Sequence, residues 1–358
     1  MLTDGAASEE PMGVFTGDFV FVGDVGRPDL LEKAAGVGGA MEAGARQLYR
    51  SLRRFRELPG HLQLWPGHGA GSACGRALGA VPQTTLGYER MVGWAFQIDD
   101  EDEFVEAVLE GQPEVPPYFR IMKELNRDGP PLLGTRSRPP RLEPERLPEI
   151  LDRDGLVVDL RSRRAYASGH VPGTINLSAE SSFVNWAGWL LPYDRQIHLL
   201  ASSDGALLDE RIRSMALIGL DRVAGWFDGS ALEAWAVERG SLQEAASLDP
   251  EEVERARRSH LATIVDVRSR SEWNDGHLPG AVHIHLGELA DRAGELPDDE
   301  PVVLYCRTGV RSAIGQSLLL ARGLHAVENM EGGFRAWREL ELPVERSATE
   351  DEPAPAPP

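Results

Sequence analysis

The chain has 358 residues, 42% of them hydrophobic, and its 57 acidic residues outweigh 37 basic ones to give a formal net charge of −20. Such a length can enclose several cores, while the acid excess argues against nucleic acid and anionic membranes as partners, because phosphate binding needs a basic patch. No run approaches the ~20 apolar residues that would span a bilayer, and the 2 cysteines, Cys74 and Cys306, exclude a disulfide framework.

Met1-Leu2-Thr3-Asp4-Gly5 has neither the basic end nor the apolar core of a signal peptide, so a cytoplasmic, reducing compartment is expected. From Phe15 to Asp24 the chain reads as an apolar strand with Gly-Asp turns at its ends. A helix is predicted from about Ala40 to Leu58, a strand at Leu62-Gln63-Leu64-Trp65, and helices again over Tyr88–Phe96 and Glu101–Glu110. Residues 126–144 carry Pro130-Pro131 and Pro139-Pro140 among Gly and Arg, which reads as a linker between domains.

Beyond the linker the sequence repeats itself. Leu156-Val157-Val158-Asp159-Leu160-Arg161-Ser162-Arg163 matches Thr263-Ile264-Val265-Asp266-Val267-Arg268-Ser269-Arg270, and Gly169-His170-Val171-Pro172-Gly173 matches Gly276-His277-Leu278-Pro279-Gly280. Two further blocks follow in order, Ile197–Ala201 with Val302–Cys306 and Val223–Gly229 with Val327–Gly333. Short apolar strands alternating with helical stretches predict a small parallel-sheet α/β domain for each copy.

In such sheets the active loop lies at the carboxyl end of a strand, where the second copy has Cys306-Arg307-Thr308-Gly309-Val310-Arg311 and the first has Ala201. A thiol between a strand and a helix start would face backbone N–H groups and the positive end of a helix dipole. Arg307 and Arg311 add fixed cations that favour a thiolate, and either could hold an anionic substrate by forked hydrogen bonds. Nucleophilic sulfur chemistry is therefore expected of the second copy, and not of the first.

These residues resemble the rhodanese family. Asp266 to Arg268, the stretch from Glu272 to Ala281, the Cys306–Arg311 loop, and Glu331-Gly332-Gly333-Phe334 with Trp337 cover most of residues 245–343. The resemblance implies that Cys306 carries sulfane sulfur as a persulfide, that Arg307, Thr308, Gly309, Val310 and Arg311 cradle it, and that Arg311 is the clamp for the substrate anion. It also implies that Asp266, Arg268, Glu272 and His277 support the loop. Donors such as thiosulfate or glutathione persulfide and thiol acceptors are the implied partners, with no cofactor required.

Residues 1–125 resemble the C-terminal part of a metallo-β-lactamase-fold domain of the persulfide dioxygenase-like kind that is fused to rhodanese domains. Gly17 to Asp29 is similar to that family's metal-aspartate strand and loop, and Pro66-Gly67-His68-Gly69-Ala70-Gly71-Ser72 to its late histidine loop. By that resemblance Asp24 and His68 are metal ligands, of an incomplete or vestigial site. The family's His-x-His-x-Asp-His motif has no counterpart, since none of the 9 histidines precedes Asp24, and iron or zinc is expected only where the metal domain is complete. His283-Ile284-His285 falls on a predicted strand and is not read as a metal site, and Cys74 is expected to pack behind the His68 loop.

The expected architecture is thus α/β throughout: a partial αββα metallo-β-lactamase-like domain over 1–125 and a linker over 126–144. A rhodanese-like domain without a thiol over 145–240, an active one over 245–343, and a disordered tail over 344–358 complete it. The leading functional expectation is a rhodanese-type sulfurtransferase. A persulfide dioxygenase or other metallo-β-lactamase-fold metal hydrolase, were the missing ligands supplied, and a non-catalytic scaffold are the alternatives. A half-sandwich exposing its inner face also predicts a homo-oligomer or a docked partner.

Overall fold

The computed structural model describes residues 1–33, 38–69, 79–132, 138–178, 182–202 and 205–346. They divide into two compact units, Met1–Lys123 and Glu124 onward. Cys74 and the tail from residue 347 lie outside the described residues.

The first unit is built on a four-stranded sheet in the order Leu2–Thr3, Pro11–Gly17, Gln63–Pro66, Thr84–Thr85, parallel only between its two central strands. The helices Ala40–Arg56 and Glu101–Leu109 pack together, burying Ala45, Leu52, Phe104 and Val108. The second of these helices starts at Asp100, whose carboxylate accepts the amides of Asp102 and Glu103 at 2.9 Å and satisfies two first-turn donors.

Two expectations change here. The strand read over Phe15–Asp24 lies earlier, at Pro11–Gly17, because Gly17 adopts a left-handed conformation (φ 54°) that ends it. Residues 20–25 then form a tight turn closed by a Val20–Val25 bridge, so Asp24 sits in a turn and not on a strand. The helix read over Tyr88–Phe96 is two helices, Leu86–Val92 and Trp94–Gln97, separated by extended Gly93.

The second unit holds two all-parallel sheets. One runs Ile175–Asn176, Leu156–Asp159, Ile197–Leu200, Val223–Phe227; the other runs Val282–His283, Thr263–Asp266, Val302–Tyr305, Val327–Met330, Ser247–Leu248. The shared strand order is the internal repeat expressed as topology. Leu156–Asp159 and Val302–Tyr305 are buried at every position, which is why they read as unbroken apolar runs and not as alternating patterns.

Each repeat reaches past the boundary read from sequence. Leu142 donates its amide to Trp226 O at 2.8 Å and Pro140 O accepts from Trp226 N, so the end of the proline-rich segment joins the first sheet. Glu345 exchanges both backbone hydrogen bonds with His277, so the ordered second repeat continues to that residue.

The repeats pack on one another. The helix Val310–Ala321 lies between its own sheet and the edge strand Ile175–Asn176, and the Ser317 hydroxyl accepts the Asn176 amide at 3.0 Å. His285 stands edge-on to Trp189 with ring centroids 5.0 Å apart. That helix is therefore buried on nearly all sides, which holds its first turn, where the Cys306 loop ends, in a fixed position.

Candidate active site

Cys306 follows the last residue of the central strand Val302–Tyr305 and is 1% exposed. The chain then turns through Gly309, at φ 84°, into the helix that begins at Val310. Only a residue without a Cβ takes this conformation without strain, and a Cβ there would lie 3.3 Å from Met330 O.

The loop is held from outside by its carbonyls. Cys306 O accepts the Phe334 amide at 2.7 Å and Arg307 O accepts the Arg335 amide at 3.0 Å, so the first turn of the helix Gly333–Glu339 grips the loop. The approach is close: a Cβ on Gly333 would lie 2.3 Å from Cys306 O, and Gly333 itself sits at φ 60°. With the carbonyls turned outward, the amides from Arg307 to Ser312 donate to no backbone acceptor among the described residues. Amides without backbone acceptors at a helix start suit an anion. The Ser312 hydroxyl, fully buried, donates to Cys306 Sγ at 3.4 Å.

The two loop arginines differ in setting. Arg311 is held by Glu272 through a forked pair, Nη1 to Oε2 at 2.6 Å and Nη2 to Oε1 at 2.7 Å. Burial alone would raise the Glu272 carboxyl, but the hydrogen bonds and charge of Arg311 outweigh it and bring the pKa down to about 2. The guanidinium read from sequence as the substrate clamp is thus already engaged by a carboxylate. Arg307 is exposed.

Below the loop, Asp266 and Arg268 are both buried and joined by a forked pair, with Nη2 of Arg268 also donating to Gly276 O at 2.7 Å. The guanidinium lies 4.1 Å from the centroid of Phe334, which ties the pair to the helix that grips the loop. His277 stacks on Trp273 with centroids 3.5 Å apart and Nδ1 3.0 Å from Trp273 O. The Tyr305 hydroxyl accepts the Leu278 amide at 3.1 Å. Asp266, Arg268 and His277 therefore contact framework, while Glu272 contacts the loop directly.

The first repeat keeps the framework without the site. Asp159 and Arg161 form the same pair, Arg161 reaches Gly169 O at 3.0 Å, and His170 stacks on Tyr166 at 3.9 Å. Where the second copy has Glu272, Cys306 and Arg311, the same offsets give Ala165, Ala201 and Ala206.

In the first unit, Asp24 accepts the Trp94 indole N–H at 3.1 Å and the Val25 amide at 2.9 Å. The His68 ring packs on Phe21, centroids 4.6 Å apart, with Nε2 3.5 Å from Asp18 Oδ1. Among the described residues no three His, Cys, Asp or Glu side chains converge as a metal site would require. Among the described residues Asp24 and His68 therefore do not fit a metal centre as they stand. His283 and His285 diverge: His283 Nε2 bonds Arg268 O at 2.8 Å and His285 packs on the tryptophans of the first repeat.

Comparison with known proteins shows what the chain is similar to. Residues 249–340 match the rhodanese-like domain family. The thiosulfate sulfurtransferase GlpE of Shewanella oneidensis is 36% identical over 76 residues, 21% of this chain and 75% of that protein. An HTH-type transcriptional regulator of Mycobacterium tuberculosis, Rv0324, is 38% identical over 98 residues, 27% of this chain and 43% of the regulator. A solved metallo-beta-lactamase from Staphylococcus aureus is similar with a TM-score of 0.53 and 40% identity, covering 63% of this chain and 60% of the other.

A parallel α/β domain with a thiol loop at a strand end defines a sulfurtransferase-like class. The chain belongs to the rhodanese family through its C-terminal repeat and has a metallo-beta-lactamase as a structural neighbour. It spans about half the length of several curated relatives that it matches. Among the described residues no helix is long and apolar enough to cross a membrane.

The sequence reading missed three contributors to the site. Ser312 faces the thiol because it lies on the first turn of the helix, a consequence of where Gly309 starts that helix. The grip by Phe334 and Arg335 amides was signalled by Gly332-Gly333, both at positive φ. Arg163, from the first repeat, places Nη1 3.7 Å from where a Cβ on Gly309 would be, a proximity with no local sequence signal.

Proposed function

We propose that this chain is a rhodanese-type sulfurtransferase in which Cys306 alternates between thiolate and persulfide. The observation that carries the reading is the arrangement around Cys306: a thiol at a strand end, its loop carbonyls bound from outside and its loop amides left without backbone acceptors.

In the first displacement the Cys306 thiolate attacks the sulfane sulfur of a donor such as thiosulfate. A new Sγ–S bond forms as the donor S–S bond breaks, and sulfite leaves with the bonding pair. In the second, an acceptor thiolate or cyanide attacks the terminal sulfur and the Sγ–S pair returns to Cys306. The loop amides stabilise the anion on sulfur in both states, the Ser312 hydroxyl donates to Sγ, and exposed Arg307 meets the anionic donor. Arg311 acts through its pair with Glu272, fixing the helix start. Asp266, Arg268 and His277 keep the strand end and the Gly333–Glu339 helix in register beneath it.

Two successive displacements on one nucleophile give ping-pong kinetics. Steady-state rates with thiosulfate and cyanide varied together should yield parallel double-reciprocal lines. A Cys306→Ser protein that turned over at the wild-type rate would refute the reading.

A further inference from the structure

We infer that the cavity between the two repeats binds the carboxylate-bearing organic body of a small thiol or persulfide, with Arg163 of the thiol-lacking repeat as its specificity residue. The inference rests on the proposed sulfur transfer for its use, and on the cavity alone for the binding.

The cavity has a volume of about 680 Å³ and is lined from both repeats, a size within the range of small-molecule sites. Part of its polar lining is committed. The Gln316 amide nitrogen donates to Ala246 O and Val327 O, and that of Asn176 to Asp159 O and Arg161 O. Two buried atoms are not: Nη1 of Arg163 and Oδ1 of Asn329 have no hydrogen-bond partner, and Asn329 is only 3% exposed. Buried polar atoms left unpaired are costly.

One is a cationic donor and the other a neutral acceptor, so the complementary ligand presents a carboxylate beside an N–H. Glu244 and Glu331, also in the lining, would accept from a further ammonium or amide group. An amino-acid-derived thiol has this combination, whereas thiosulfate has no N–H to offer Asn329. Arg163 also marks the way to the chemistry, since it abuts Gly309 of the thiol loop and Glu331 immediately precedes the glycines that hold it. The first repeat, without a nucleophile, would then act as half of the binding site.

The test uses glutathione as probe with the full chain. Titration calorimetry should show binding to the wild-type protein and a dissociation constant raised about tenfold or more in Arg163→Gln, the loss expected for one charge-assisted hydrogen bond. Arg163→Lys should recover part of the affinity. In sulfur transfer from thiosulfate, the ratio of kcat/KM for glutathione to that for cyanide as acceptor should fall about tenfold in Arg163→Gln. Equal affinity for glutathione in wild type and Arg163→Gln, or no binding at millimolar glutathione, would overturn the inference. Sulfur loading of wild-type Cys306 is read separately by intact mass, so a chain that binds glutathione through Arg163 yet takes no sulfur keeps the binding site and loses the transfer reading.

Discussion

Arg311 and Glu272, 39 residues apart in sequence, form a forked ion pair at 2.6 and 2.7 Å that fastens the start of the helix after Cys306 to the helix Arg270–Asp275. Glu272 serves two ends at once, since its Oε2 also accepts the Ser269 amide at 3.2 Å in a capping box. The pair therefore joins two helix starts beneath the thiol. In the first repeat both members are alanine, as is the residue at the cysteine position.

Glu272→Ala leaves the largely buried Arg311 guanidinium without its carboxylate. Urea unfolding should report a loss of about 1–3 kcal/mol, and the rate of Cys306 sulfur loading should fall at least tenfold as the loop loosens. Glu272→Gln, which keeps one hydrogen bond, should lie between the two proteins in both measurements.

Gly333→Ala places a methyl group 2.3 Å from Cys306 O at a φ of 60°. The helix Gly333–Glu339 must shift, releasing the Cys306 and Arg307 carbonyls. The melting temperature should drop and alkylation of Cys306 by iodoacetamide should accelerate as the 1% exposed thiol opens to solvent. Unchanged alkylation kinetics would contradict the grip described.

Ala201→Cys restores a thiol at the matching strand end of the first repeat, but Ala165 and Ala206 supply neither carboxylate nor guanidinium there. Intact mass after thiosulfate treatment of an Ala201→Cys, Cys306→Ser protein should show no added sulfur. Loading at the wild-type rate would mean that the ion pair is dispensable.

His170 is buried against Tyr166, and desolvation lowers its pKa to about 4 despite the hydrogen bond to Tyr166 O. The folded chain thus keeps it neutral while the unfolded chain, near the ordinary 6.5, takes up a proton. Its stabilising contribution is complete above pH 6.5 and is lost as the pH falls from there towards 4. Denaturation midpoints should decline over that window in the wild type and decline less in His170→Gln.

The repeat, its strands and the Cys306 loop were legible because they rest on local signals: buried strands as apolar runs, glycines at turns, and a thiol flanked by arginines. The framework role of Asp266 and Arg268 was implied by the family resemblance and not by their spacing. What sequence did not show is what depends on distant partners. Arg311 looked like a free clamp until Glu272 appeared beside it, and nothing local to Arg163 pointed to the packing of the repeats that brings it to Gly309. In the first unit the Phe15–Asp24 run had strand composition throughout, but one left-handed glycine divided it.

Intact-mass spectrometry of the full chain after thiosulfate treatment is the most direct test of Cys306 as sulfur carrier. The account predicts one added sulfur, reversed by cyanide, mapped by peptide analysis to Cys306 and absent from Cys306→Ser. No added sulfur on the folded wild-type protein, or the same addition in Cys306→Ser, would contradict it.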